Sequence, residues 1–243
     1  MRFAVMSDIH GNLLALEAVL ADIKTRGVDS IVNCGDLCTS PLWPRETYDL
    51  LEPMHLPTVR GNHDRWIAEL PVDKMSPSLV YTHAQLTAEQ RAALGALPLV
   101  HRLTDGVLMC HGTPVDDYTF LLEDRDDGRL ICSRSADVAA RLAGQTADLV
   151  LCGHSHHAHM VWAPPGTLVL NPGSVGCPIF ADNPTANQND ARAPHARYAV
   201  VTKHAGKWSA EFMAVAYDWD AAAARARANG REEWARAYAT GMV

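Results

Sequence analysis

Apolar positions in the first half of the chain follow two alternating periods. Phe3 to Met6 is an unbroken apolar run of strand length that stops at Ser7-Asp8. After the polar turn Asp8-Ile9-His10-Gly11-Asn12, apolar residues recur at Leu13, Leu16, Val19, Leu20 and Ile23. That spacing lines one face of a helix, with Asn12 as N-cap and Gly27 as stop. Ser30 to Cys34 reads as a second buried strand, Pro44 opens a short helix through Leu51, and Pro57-Thr58-Val59 opens a third strand. Strand, helix and strand in succession predict an α/β fold with a parallel sheet covered by helices.

Residues 65 to 100 break this rhythm and read as a helical insertion, in which Thr87-Ala88-Glu89-Gln90 has capping-box spacing. Val107 to Cys110 and Leu149 to Cys152 are further buried strands, with a helix from about Ser135 to Leu142 between them. Thr167 to Leu170, Tyr198 to Lys203 and Trp208 to Tyr217 read as later strands, the last two joined by a hairpin turn at Ala205-Gly206. An Ala-rich helix starts at about Ala221 and is interrupted at Gly230. Residues 181 to 195, rich in Asn, Asp, Ala and Pro and without periodicity, are expected to form a long loop beside the site mouth. No repeat or linker divides the chain, so residues 1–243 are expected to form one domain.

Composition narrows the partners more than the fold. The 243 residues are 48% hydrophobic, which is ample for a buried core. A formal net charge of -7, with no block of Lys and Arg, argues against extended nucleic acid and anionic membrane surfaces. The apolar start is too short for a signal peptide and no stretch is long enough to span a bilayer. The six cysteines form no CxxC pair and mostly sit in apolar runs, with Cys34, Cys110 and Cys152 read as packing residues. A reducing, cytoplasmic setting is therefore expected. Nothing in the pattern specifies an oligomeric state.

The polar residues that interrupt the apolar runs carry the chemistry. Five motifs directly follow predicted strands: Asp8-x-His10, Gly35-Asp36, Gly61-Asn62-His63-Asp64, His111-Gly112 and Gly153-His154-Ser155-His156. In an open α/β sheet the carboxyl ends of the strands converge on one crevice, so these motifs are expected to meet. On extended chain, residues two apart point to one side, which would pair His154 with His156 and Asp8 with His10. Imidazole, carboxylate and amide oxygen favour Mn, Fe, Co, Ni or Zn over Ca. Asp8, His10, Asp36, Asn62, His111, His154 and His156 are too many ligands for one ion. Two divalent ions sharing a carboxylate, roughly 3.5–4 Å apart, fit better. With only Asp8 and Asp36 charged, two such ions leave the pocket net positive and suited to a phosphate ester.

The order of these motifs resembles that of the calcineurin-like metallophosphoesterases. It is most similar to their small bacterial branch of phosphodiesterases and diadenosine-tetraphosphatase-like proteins. The resemblance runs from Met1 to about Gly176 and includes Asn171-Pro172-Gly173-Ser174-Val175-Gly176. It implies a two-sheet β-sandwich flanked by helices, in four layers αββα. It implies one metal on Asp8, His10 and His156, a second on Asn62, His111 and His154, and Asp36 bridging both. His63, beside Asn62, would contact the substrate phosphate with it or protonate the leaving group, making His63 and Asp36 the catalytic pair. The implied reaction is hydrolysis of small phosphodiesters or phosphomonoesters by a hydroxide bridging the ions. The family's protein phosphatase branch carries a second Asp and an Arg shortly after its Gly-Asp motif. Gly35-Asp36-Leu37-Cys38-Thr39-Ser40-Pro41 has neither, so another group must orient His63, and a phosphoprotein substrate is disfavoured.

A non-catalytic metal-binding scaffold of the same fold is the competing reading, disfavoured because every ligand position is filled. His157 and His159 are read as supporting or surface residues; His55, His83, His101, His195 and His204 have no assigned partner. Gly61, Gly112 and Gly153 are expected to permit close backbone approach or positive φ.

Overall fold

The computed structural model describes residues 1–179 and 191–242. Strand β1 (Arg2–Met6) leads through the Asp8 turn to α1 (Leu13–Lys24). The Asn12 side chain caps that helix by accepting from the Ala15 amide at 3.2 Å, and Ala15, Leu16, Val19 and Ile23 form its buried face. β2 (Ser30–Asn33) and α2 (Pro44–Leu51) follow as the periodicity predicts. The expected strand at Pro57 is reduced to one parallel bridge between Asn33 and Thr58. Pro57 has no N–H to donate, and the Arg60 amide already bonds to Pro98, so pairing stops there.

The insertion comprises α3 (Asn62–Glu69), α4 (Pro77–Gln85) and α5 (Ala88–Gly95). The α5 capping box forms as expected, the Thr87 hydroxyl accepting from the Gln90 amide and the Gln90 side chain from the Thr87 amide. Then come β3 (Val100–Thr104), β4 (Val107–Cys110), β5 (Glu123–Asp126), β6 (Arg129–Cys132), α6 (Ser135–Arg141), β7 (Leu149–Leu151), β8 (Ala158–Ala163) and β9 (Thr167–Pro172). The chain closes with β10 (Ala196–His204), β11 (Lys207–Val215), α7 (Trp219–Ala228) and α8 (Glu232–Thr240). The loop expected over 181–195 lies outside the described residues up to position 190.

The single parallel sheet inferred from the rhythm is two mixed sheets, ordered β11-β10-β1-β2 and β3-β4-β7-β9-β8. β1 with β2, and β4 with β7 with β9, are parallel, whereas β10, β3 and β8 run antiparallel to their neighbours. Strand alternation then builds the layers. Phe3, Val5, Met109, Leu149, Leu168 and Val201 pack between the sheets. The opposite side of the first sheet, with Ala4, Met6, Tyr198 and Val200, packs on α1. The opposite side of the second, with Leu108, Val150 and Val169, packs on α6 through Val138 and Leu142. The result is the αββα sandwich. β3, β5, β6 and β8 went unpredicted because their burial is partial or alternates with exposed positions, leaving no apolar run. A separate cluster joins α7 and α8, through Ala222, Ala226, Trp234 and Tyr238, to Leu42, Cys177 and Ile179.

Candidate metal centre

All five motifs open at the carboxyl side of β1, β2, β4, β7 and the Thr58 bridge, and their polar side chains meet there as the strand-end argument predicts. The way they meet differs from the extended geometry expected. Asp8, His10, Asp36, His154 and His156 have φ of 55, 45, 57, 70 and 62°, in the left-handed region. Asp8 and His10 still come together, in a group with Asp36, but the other expected pair separates. Asp36, His111 and His154 form one group, while His10 and His156 form another with Cys177. His154 and His156 therefore do not share a side.

Asp36 joins the groups. Its Oδ1 accepts the His63 amide at 2.9 Å, at the N-terminal turn of α3, where unpaired N–H groups favour a carboxylate. Its Oδ2 faces imidazoles of both groups, 3.6 Å from His10 Nε2 and 3.4 Å from His111 Nε2. Asp8 is likewise buried: its Oδ1 accepts no hydrogen bond, although Nε2 of His156, His10 and His111 lie at 3.3, 3.9 and 4.0 Å. Its Oδ2 accepts the His154 amide at 3.1 Å.

Backbone carbonyls select the ring nitrogen each histidine offers. His10 Nδ1 lies 3.0 Å from Thr39 O and His111 Nδ1 2.6 Å from Cys34 O. A carbonyl only accepts, so both Nδ1 atoms donate and both Nε2 atoms turn a lone pair inward when the rings are neutral. In His154 it is Nε2 that meets a carbonyl, Tyr118 O at 2.6 Å, leaving Nδ1 to the site. The inward groups then face one another, His10 Nε2 3.2 Å from His156 Nε2 and His111 Nε2 3.1 Å from Asn62 Oδ1. Acceptors converging this closely repel unless a positive charge lies among them.

Titration expresses the same demand. Burial would raise the carboxyl of Asp8, but His156 and His111 outweigh it and hold it at about 2. Asp36, equally opposed by burial, is held well below the usual range by His111 and His63. Burial pushes His10 and His154 down to about 3, whereas Asp36 and Asp8 overcome burial to lift His111 to about 9. Among the described residues no Lys or Arg pairs with Asp8 or Asp36, so only protons on histidine or bound cations can offset two buried carboxylates. A set of inward imidazole nitrogens, carboxylate oxygens and one carboxamide oxygen fits divalent transition metals.

His63 is 7% exposed, packed edge-on against His10 at 5.2 Å and Trp66 at 4.9 Å between ring centres. Trp66 is therefore a ring neighbour of His63. Asp64 has a role that was not foreseen: its carboxylate accepts the amides of Asp36, Leu37 and Gly61 at 2.9, 3.0 and 2.9 Å, tying two motif loops together. Its place beside Asn62 and His63 in the motif was the available signal. Asp117 takes a bidentate bond from Arg65 at 2.8 and 2.7 Å, holding the loop that presents Tyr118 O to His154. No sequence pattern pointed to it.

Two glycines act by close approach, without positive φ. A Cβ on Gly61 would lie 2.0 Å from Asp36 Oδ1, and one on Gly153 2.0 Å from Ser7 Oγ. The Asn171–Gly176 segment braces the first motif, Val175 N and Gly176 N donating to Ser7 O and Asp8 O. Cys34, Cys110 and Cys152 are buried in the sandwich as packing residues, and Cys132 is exposed. His159 is part-buried, with Nδ1 3.6 Å from Glu123.

Residues 1–192 match the Calcineurin-like phosphoesterase superfamily domain. The chain is 30% identical over 200 residues to an uncharacterised protein of Methanocaldococcus jannaschii, covering 72% of this chain and 76% of that one. It is similar to the crystal structure of a metallophosphoesterase from Sphaerobacter thermophilus, with a TM-score of 0.75, 26% identity and 100% of each chain covered. A hypothetical protein from Pyrococcus horikoshii superposes with a TM-score of 0.79 at 23% identity, over 99% of this chain and 98% of that one, a likeness of fold. No helix among the described residues is long and apolar enough to cross a membrane.

Proposed function

The chain belongs to the calcineurin-like phosphoesterase superfamily, and from that premise we propose that it is a dinuclear metal-dependent phosphoesterase acting on small phosphodiesters or phosphomonoesters. The observation that carries this reading is Asp36, whose one carboxylate oxygen faces imidazoles of two separate ligand groups. Asp8, His10 and His156 would hold one divalent ion, Asn62, His111 and His154 the other, with Asp36 between them. Bound there, Mn, Fe, Co, Ni or Zn supplies Lewis-acid polarisation of a phosphoryl oxygen and a water made nucleophilic near neutral pH.

The protein's own contribution is positioning and proton supply. The carbonyls of Thr39, Cys34 and Tyr118 fix ring orientations before substrate arrives, so little reorganisation accompanies reaction. The Asn62 side-chain amide is available to a phosphate oxygen. His63, at the first turn of α3, is the group to protonate the leaving oxygen, a role worth about 10²–10⁴-fold.

Protein stripped with chelator should regain hydrolysis of bis-p-nitrophenyl phosphate or p-nitrophenyl phosphate on addition of Mn²⁺, Ni²⁺, Co²⁺ or Zn²⁺, and the Asp36→Asn variant should not. Folded protein that binds the ions yet turns over neither ester would transfer the reading to a metal-binding scaffold of the same fold.

A further inference from the structure

Cys177 is the one member of the inward-facing groups that no motif contains. Its Sγ lies with ring nitrogens of His10 and His156 so that all three atoms are within 4.8 Å of one another, and the residue is fully buried. Its position is determined by bonds to the centre itself. The Cys177 amide donates to Ser174 Oγ at 2.8 Å, and that hydroxyl donates to Asp8 O at 2.7 Å.

A second observation marks this as a ligand position. Asp8 Oδ1, fully buried and accepting no hydrogen bond, points into the same group at 3.3 Å from His156 Nε2. The His10–His156 pair, its ring nitrogens 3.2 Å apart, is therefore shared by a thiol sulfur and an orphaned carboxylate oxygen. The other buried cysteines differ. Cys34, Cys38, Cys110 and Cys152 fall in none of the ligand groups and pack in the hydrophobic clusters.

We propose that Cys177 is a thiolate ligand of the ion held by Asp8, His10 and His156, which makes that half of the centre selective for thiophilic divalent ions. This rests on the dinuclear reading above. On coordination the S–H proton, now directed at Ile179 O 3.2 Å away, is released to solvent and the sulfur lone pair forms the metal bond. The other half has only nitrogen and oxygen donors, so the two ions of one centre would differ in preference. Sulfur favours Zn or Fe, whereas a set without sulfur that includes carboxylate and carboxamide oxygens tolerates Mn.

X-ray absorption of the Zn²⁺-loaded protein and the visible and near-ultraviolet spectrum of the Co²⁺-loaded protein test this without recourse to turnover. The unsubstituted protein should show a Zn–S shell at about 2.3 Å and a thiolate-to-cobalt charge-transfer band. Both should vanish in Cys177→Ser and Cys177→Ala and persist in Cys152→Ala, with circular dichroism verifying that each variant is folded. Competition of Zn²⁺ against Mn²⁺ should lose at least about tenfold of its Zn preference at one site in Cys177→Ser, the low end for disturbing a metal site's surroundings. Two bound ions with purely nitrogen and oxygen shells would overturn the assignment of Cys177 and leave the dinuclear reading standing. Failure to bind any divalent ion would overturn both.

Discussion

The two halves of the centre are held by different parts of the molecule. Around His111 and His154 the anchors are Cys34 O and Tyr118 O, in loops that leave or cover the sandwich edge. Around His10 the anchor is Thr39 O, and the Cys177 sulfur groups with His10 and His156. Cys177 belongs to the cluster of Trp234, Tyr238, Ala222 and Ala226, so this half leans on α7 and α8. Those helices lie beyond the residues that match the family domain. One half thus depends on the sandwich and α3, and the other leans on a helical hairpin packed behind it.

Perturbations that treat the halves alike or unlike separate these supports. The largest effect is expected from Asp36→Asn, which removes the group shared by both. Turnover should fall by at least about 10²-fold and both ions should bind more weakly, as titration calorimetry would record. His63→Ala should lower kcat by about 10²–10⁴-fold while leaving the bound metal content at two, because His63 faces the site without belonging to either ligand group. Trp234→Ala should cost about 3–5 kcal/mol in urea unfolding, since this fully buried indole fills the hairpin core. At metal concentrations near half-saturation, the ion on the His10 side should leave first; equal loss from both halves would break the comparison. Asp64→Asn, which weakens acceptance from three amides, should cost roughly 1–3 kcal/mol and loosen Asp36 and α3 together.

The sequence carried much of this centre because metal chemistry leaves compact marks. Asp8-x-His10, Gly35-Asp36 and the other motifs lie at strand ends, and strand ends are legible as apolar runs that stop. The supports were hidden for the opposite reason. Thr39, Cys34 and Tyr118 act through backbone carbonyls that any residue possesses, and Asp117 reaches Arg65 across 52 positions. The sheet arrangement was misread where apolar pattern and pairing part company. Parallel strands gave continuous runs, while β3 and β8 lie at sheet edges with alternating or partial burial. The extended reading of His154 and His156 failed because both adopt positive φ, a strained turn that side-chain spacing does not reveal.

The central claim is that two ions act together across Asp36. Stepwise addition of Mn²⁺ or Co²⁺ to chelator-stripped protein, with bound metal and bis-p-nitrophenyl phosphate turnover followed in the same samples, tests it most directly. The account predicts that turnover rises with the second equivalent of metal and that Asp36→Asn abolishes this rise. Full turnover at one bound ion, or turnover that persists in Asp36→Asn, would contradict it.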